Sequence, residues 1–385
     1  MIFIFSTRVK TSLFILFLLF QSNQITNQTQ GQSNSDVIIY ALPYDFDEYS
    51  IYTANSYATS QWTSAVYNGL IKRDSTEGWV PDLAVELPTI SSNGLVYTFK
   101  LQDELLFSNG HVLTSSDVAF SFKVALTSSI NTNFFDSFDG YLKNNSIRII
   151  DDLTIEFTFL QKYAFGLTLL NFPITDEAIF RDRYDRCLEG LLEDCYWNDE
   201  SGLDAVGAGP FRVFDIDNVY EIVTVEANPY YYDADQVKTD KIIFQKIADK
   251  DTAISALAYG MIDLLDSQYV PGINELANID GVTEEFVNDL SSQQIALNHL
   301  NPYYGTGEKI PGNNGQPNYD DALSVRKAMS HIVDRQFIVN EMMEGLATPA
   351  TTIMPSGAIG WDTTIVPRNF SIATARNYME MAGFD

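Results

Sequence analysis

Apolar positions along the chain repeat with two periods. In "VYTFKL" (96–101) Tyr97, Phe99 and Leu101 share one face while Thr98 and Lys100 share the other, the two-residue alternation of a half-buried strand. "LTIEFTFL" repeats it, with Leu153, Ile155, Phe157 and Phe159 opposite Thr154, Glu156 and Thr158. Asp151 and Asp152 supply a turn back to "SIRII", which predicts a hairpin. "DVIIYALP" reads as a buried strand running into a loop, and "FRVFDI", "YEIVTVEA" and "DKIIFQKI" as further strands. A helical period appears in "SYATSQWTSAVYNGLI", where Trp62, Ala65, Val66 and Leu70 form one stripe and Gly69 stands near its end. It returns in "DTAISALAYGMID", with Ile254, Leu257 and Met261 on one face, and in "DALSVRKAMSHIVD". Strands and helices interleave without a repeating unit, so mixed α/β lobes are expected rather than a barrel, bundle or solenoid. "NPYYGTGEKIPGNNGQPNYDD" is polar and rich in glycine and proline, and predicts a surface loop.

"LLFSNGHVLTSSDVAFSFKVAL" (105–126) joins a strand end, a turn and a helix start. Thr114 precedes an apolar run containing Val118, Phe122, Ala125 and Leu126, and Asp117 follows it by three residues, so a capped helix is expected. Asn109-Gly110 is the turn. His111 has no metal partner or nucleophile near it in sequence and reads as scaffold.

Composition narrows the setting. The 385 residues, 45% of them hydrophobic, exceed what one core usually serves, so two or three domains are expected. Arg8 and Lys10 precede the apolar run 13–20, which is too short to span a bilayer but suits a secretory signal. Asn-x-Ser/Thr acceptors at Asn27, Asn144 and Asn369 fit export weakly. Cys187 and Cys195 stand close together in "CLEGLLEDC", and outside the cytoplasm a local disulfide between them is expected. No cysteine directly follows the signal, so a bacterial-type lipid anchor there is not expected. The net charge of −28 becomes about −30 without Arg8 and Lys10 (21 − 51), which would repel nucleic acid and anionic lipid.

Several chemistries find no support. "GAGPF" is no dinucleotide loop, because Pro210 lacks an amide hydrogen and Arg212 stands where the last glycine belongs. His111, His299 and His331 are isolated from one another and no zinc spacing is present. A G-x-S-x-G elbow is absent.

The stretch "YNGLIKRDSTEGWVPDLAVELPTISSNGLVYTFKLQDELLFSNGHVLTSSDVAFSF" closely resembles the signature region of the family 5 extracellular solute-binding proteins, the peptide, dipeptide and nickel receptors of ABC importers. Gly69, Leu70, Pro81, Leu83, Ala84, Gly94, Tyr97, Phe99, Leu101, Phe107, Gly110, Thr114, Asp117 and Val118 fall on that pattern. "GAGPFRV", "ISALAYGMIDLL", "IALNHLNP" and "VRKAMSHIVDRQFIVNEMMEGLATPATTIMP" resemble later landmarks of the family, the third of them a strand, while "RDRYDRCLEGLLEDCYWNDESG" departs from it.

The resemblance implies an α/β, two-lobed periplasmic-binding-protein-like fold (type II, cluster C) with a small extra domain inserted in the first lobe. The expected division is 1–35 signal and polar linker, 36–66 first lobe, 67–204 inserted domain, 205–265 return to the first lobe and 266–385 second lobe, which is expected to be incomplete. The implied function is capture of oligopeptides or dipeptides in a cleft between lobes that close by hinge bending, followed by delivery to a membrane permease. Alternatives are a receptor for a nickel chelate, sugar or other solute, and an extracytoplasmic hydrolase. By analogy the ligand is lined by Tyr44, Asp45, Ser267, Gln268, Tyr269, Gln293, Gln294 and Asn298. No catalytic residue, metal site or cofactor is expected. The protein is expected to be a monomer that binds no nucleic acid, secreted or at the cell surface or in the periplasm, and membrane-associated through its transporter or an anchor.

Overall fold

The β-branched and aromatic runs form the strands that their alternation predicts. The computed structural model describes residues 2–6, 36–46, 49–53, 56–74, 78–130, 132, 134–190, 205–269, 273–276, 279–286, 292, 294–354 and 361–384. The chain divides into two units, residues 2–271 with 275–285, and residues 286–385 with 272–274.

In the larger unit, strands Ile2–Ser6 (β1) and Val37–Leu42 (β2) precede the helix Tyr57–Val66 (α1). Strands Ile71–Asp74 (β3), Gly78–Pro81 (β4), Thr89–Ile90 (β5) and Val96–Lys100 (β6) lead to the helix Ser115–Ala125 (α2). The hairpin Ile147–Asp151 (β7) and Thr154–Thr158 (β8) and the helix Glu177–Leu188 (α3) follow. The chain then runs through Phe211–Asp217 (β9), Ile222–Ala227 (β10) and Lys241–Lys246 (β11). It crosses by the helix Lys250–Ala258 (α4) to Leu264–Leu265 (β12) and adds Val282–Phe286 (β13).

One mixed sheet has the order β13-β1-β12-β2-β11-β10-β9, with β2 parallel to both its neighbours. Ile38, Tyr40 and Leu42 enter the main core, while Ala41, with Ile39 packed beside it, faces a second cluster with Ala253 and Leu257 of α4. Both faces of β2 are therefore covered, which is why "VIIYAL" has no polar stripe. Within the expected signal region, "IFIFS" has strong strand propensity and forms β1, antiparallel to β12 with Ile4 opposite Leu265. The apolar run 13–20 and Asn27 lie outside the described residues.

The second sheet, β5-β6-β8-β7, is antiparallel, with Tyr97 opposite Phe157 and Phe99 opposite Ile155. These inward residues are buried beneath α2, whose Phe122 ring lies 4.7 Å from that of Phe157 and 5.1 Å from that of Phe172. The capping box of α2 forms as its sequence predicts: the Thr114 amide donates to Asp117 Oδ2 at 2.8 Å and the Ser116 amide to Thr114 Oγ1 at 3.2 Å. Gly110 takes φ +86°, and the Phe107 amide donates to the His111 carbonyl.

Three expectations are corrected. Helix α1 stops at Val66 rather than running to Leu70, because Tyr67 is extended and the Gly209 amide takes the Val66 carbonyl. Met261 is 68% exposed, since α4 ends at Ala258 and the buried residue of that turn is Ile262. Residues 294–298 form no strand; Ile295 is exposed and no described strand pairs with them.

The smaller unit centres on the helices Tyr319–His331 (α5) and Ile372–Met381 (α6). Ile310, Val325 and Ala382 form its core with Tyr304, Met329, Met379 and Phe384 against them. Ile310 belongs to the segment expected to be a surface loop, so that segment is anchored. Arg326 Nη1 of α5 donates to the Tyr304 carbonyl at 2.5 Å, and Asn318 Oδ1 caps α5 through the Asp321 amide at 3.2 Å.

Candidate functional site

Strands β2, β11 and β12 run parallel and end together, and in open α/β sheets ligands gather beyond the carboxyl ends of such strands. The residues just beyond those ends are Tyr44 and Asp45 after β2, Lys246 closing β11, and Asp266 to Tyr269 after β12. The first turn of α1 joins them, because Ser56 Oγ donates to the Asp45 carbonyl at 3.0 Å while capping the helix. Tyr57 is the first residue of that helix.

Asp266 ties this region together. It is 2% exposed, and its Oδ1 accepts the Gln268 amide at 2.7 Å. Tyr57 donates its hydroxyl to Oδ2 at 3.0 Å, and the Tyr40 hydroxyl donates to the same oxygen. Burial raises the Asp266 carboxyl above the usual carboxylate range, while the bonds from Tyr40, the Gln268 amide and Tyr57 act in the opposite direction. Burial and then the neighbouring carboxylate push the Tyr40 and Tyr57 hydroxyls up, so both remain protonated donors.

Above this carboxylate lies an aromatic and amide surface. Tyr44 is 43% exposed and meets Tyr57 edge to face at 5.6 Å between centroids. Its hydroxyl donates a long bond of 3.4 Å to Gln268 Oε1. Gln268 is exposed and Ser267 half-buried. Tyr269, by contrast, is buried in the α4 cluster and donates to the Ile247 carbonyl at 2.6 Å. Asp45 pairs with Lys246, which also lies 2.5 Å from Glu221, so its negative charge is locally compensated. Such a surface offers ring faces and amide hydrogen bonding to a ligand.

In the smaller unit Gln294 and Asn298 are exposed, and Asn298 Oδ1 accepts the Leu300 amide at 2.9 Å. Gln293 lies outside the described residues. The structure thus brings Tyr44, Ser267 and Gln268 together in one unit. Sequence reasoning missed Tyr57, Asp266 and Lys246. The acid that interrupts "LLDSQY" directly after a buried strand was the available signal for Asp266. Lys246 and Tyr57 become visible only when sheet order is known.

His111 Nδ1 lies 2.6 Å from Asp176 Oδ2, which also accepts Asn109 Nδ2 at 2.8 Å. His331 Nδ1 lies 2.7 Å from the Asn369 carbonyl. Cys187 is buried at the end of α3, and Cys195 lies outside the described residues. Among the described residues no group of three His, Cys, Asp or Glu could hold a metal ion, and no helix is long and apolar enough to cross a membrane. A hollow of about 460 Å³ is lined by Pro81, Asp82, Val85, Gln102, Asp103 and Tyr232 and shares no residue with the Tyr44–Gln268 surface.

The larger unit, with its mixed sheet, flanking helices and additional small antiparallel sheet, has a type II periplasmic-binding-protein-like α/β fold. A family model for bacterial extracellular solute-binding proteins, family 5 (middle region), matches residues 78–385, and the chain belongs to that family. The glutathione-binding protein GsiB of Escherichia coli is 24% identical over 349 residues, covering 90% of this chain and 61% of its own length. The chain therefore spans 61% of the length of the curated relatives it matches first. Among solved structures, the oligopeptide-binding protein AppA of Bacillus subtilis with a nonapeptide gives a TM-score of 0.68 at 18% identity, over 90% of this chain and 64% of that one. NikZ of Campylobacter jejuni with Ni(L-His) gives 0.66 at 20% identity, over 92% and 64%.

Proposed function

We propose that the protein is an extracytoplasmic substrate-binding protein of an ABC importer, which captures oligopeptides or dipeptides in a cleft between its lobes and hands them to a membrane permease unaltered. The observation that carries this reading is the Tyr44–Tyr57–Gln268 surface at the carboxyl ends of parallel strands in a family 5 chain. Aromatic faces suit peptide side chains, and an amide suits the peptide backbone, which presents one donor and one acceptor per residue. The names of its relatives include a glutathione-binding and an oligopeptide-binding protein, and peptides are therefore the first class to test. Tyr44, Asp45, Ser267, Gln268, Tyr269, Gln293, Gln294 and Asn298 are assigned to the ligand side. The protein acts as a monomer outside the cytoplasm, associated with the membrane through its transporter.

Thermal denaturation in the presence of di- to pentapeptide pools tests this, with mass spectrometry of the recovered peptides. Binding to the folded state raises the melting temperature by mass action. A rise with intact peptides supports the reading. A rise only with nickel-histidine or sugars transfers the protein to another solute, and cleaved peptides would make it a hydrolase.

A further inference from the structure

We infer that Asp266 is a positioning residue: its buried carboxylate fixes the Tyr57 hydroxyl and the Gln268 turn so that the exposed aromatic and amide surface is held in one arrangement before a ligand arrives. The inference rests on the proposed binding function for what the surface receives, but the brace itself rests on geometry.

Asp266 is itself too deep to meet a ligand, and its bonds run outward to groups that can. Oδ1 accepts the Gln268 amide at 2.7 Å, which sets the backbone of the turn carrying Gln268. Oδ2 accepts Tyr57 at 3.0 Å, which sets the ring against which Tyr44 packs. Tyr44 in turn reaches Gln268 Oε1, closing a ring of contacts through Asp266, Tyr57, Tyr44 and Gln268. The buried end is tied by Tyr40, whose own ring lies 5.6 Å from Phe244, so the carboxylate cannot swing away from the rim. Three elements distant in sequence, β2, α1 and the turn after β12, meet on this one side chain. Bonds to a charged acceptor are shorter and stronger than neutral ones, and a surface ordered in advance gives up less freedom on binding.

Asn at this position keeps the shape and one carbonyl oxygen but turns the other oxygen into a donor, which the Tyr57 and Tyr40 hydroxyls must then accept. Asp266→Asn should keep the fold by circular dichroism, change the Tyr57 ring signals in spectra of protein carrying ¹³C-labelled tyrosine, and weaken binding of the peptide selected from the pools about 10-fold. Tyr57→Phe, which deletes only the hydroxyl, should weaken the same peptide similarly, and the double variant should lose little more than either single one. If Asp266→Asn does not fold, Tyr57→Phe and Tyr40→Phe carry the test: both should weaken the peptide, the former by deleting the rim bond and the latter by freeing the buried end of the carboxylate, and unchanged affinity in both overturns the brace. An Asp266→Asn protein that binds the peptide as the wild type does overturns the brace alone, as do unchanged Tyr57 signals. A wild type that binds no peptide overturns the proposed function alone, and altered Tyr57 signals in Asp266→Asn would then still support the brace.

Discussion

The Gly209 amide donates to the Val66 carbonyl at 2.8 Å, where the end of α1 meets the turn that starts β9. A Cβ at residue 209 would stand 2.6 Å from that oxygen, and one at residue 207 only 2.1 Å. Both obstacles are backbone and cannot rotate aside. Gly207→Ala should therefore lower unfolding free energy by about 3 kcal/mol or more, at the severe end of single substitutions. Gly140 is a suitable comparison: it has φ +81° but open space around its missing Cβ, so Gly140→Ala should lose only about 1–2 kcal/mol from left-handed strain. Urea unfolding of the two variants checks this, and equal losses would refute the close-approach argument.

That contact also marks where sequence reading succeeded and where it stopped. "GAGPF" was legible as a family landmark, and Pro210 with Arg212 sufficed to reject it as a nucleotide loop. The reason for its glycines was not legible, because Val66 lies more than 140 residues upstream and the two meet only after folding. Strands β6 and β8 followed from alternation, since a period of two is local information, and β2 from its continuous apolar run, whereas β1, β5, β12 and β13 were not anticipated. The stripe extended wrongly to Leu70 because that residue is fully buried like Val66, but by the chain beyond the helix, and burial alone does not distinguish the two. At the candidate site, Tyr44 and Gln268 were anticipated through resemblance, whereas Asp266 was not. Its role depends on Tyr40 and Tyr57, each over 200 residues away.

His111 gives a second test, of scaffold against chemistry. Its partner Asp176 is buried and does several jobs, accepting the Ala178 amide at 2.9 Å as the cap of α3, along with Asn109 and His111. Asp176→Ala should lose about 2–3 kcal/mol, combining a cap with bonds to a charged acceptor. The His111 side chain is half exposed, so His111→Ala should lose well under half as much and leave peptide affinity unchanged. A His111→Ala protein with intact stability but abolished binding would remove the scaffold reading.

Tyr52 anchors the loop before α1 through a buried hydroxyl chain. Its OH lies 2.7 Å from Thr175 Oγ1, while the Thr175 amide donates to Ser121 Oγ at 2.9 Å. The ring itself is fully buried against Phe172 and Phe180. Tyr52→Phe keeps that packing and deletes one bond, so thermal or urea unfolding should show a loss of about 1–2 kcal/mol. Tyr52→Ala also opens a cavity and should lose about 3–5 kcal/mol. Similar losses for the two would mean that the hydroxyl chain, and not the ring, secures this loop.

Asp82 supplies a pH test whose sign is fixed by its surroundings. It is 4% exposed, and Oδ1 accepts Tyr232 at 2.8 Å and Asn68 at 2.9 Å, with Lys72 Nζ at 3.4 Å. Burial raises its carboxyl above the ordinary value of 3.8, against the pull of Lys72, Tyr232 and Asn68. The folded state therefore holds the proton more tightly than the unfolded chain does. The resulting stabilisation is complete below about 3.8 and is lost as pH rises through the folded-state value. Asp82→Asn has no proton to exchange, and the remaining acids titrate nearly alike in both proteins. The wild type should thus gain on the variant as pH falls from 7 towards 4, measured as the difference between their urea unfolding free energies. A difference that moves the other way would mean that Lys72 and the two donors outweigh burial, and that Asp82 is held as a stabilised carboxylate.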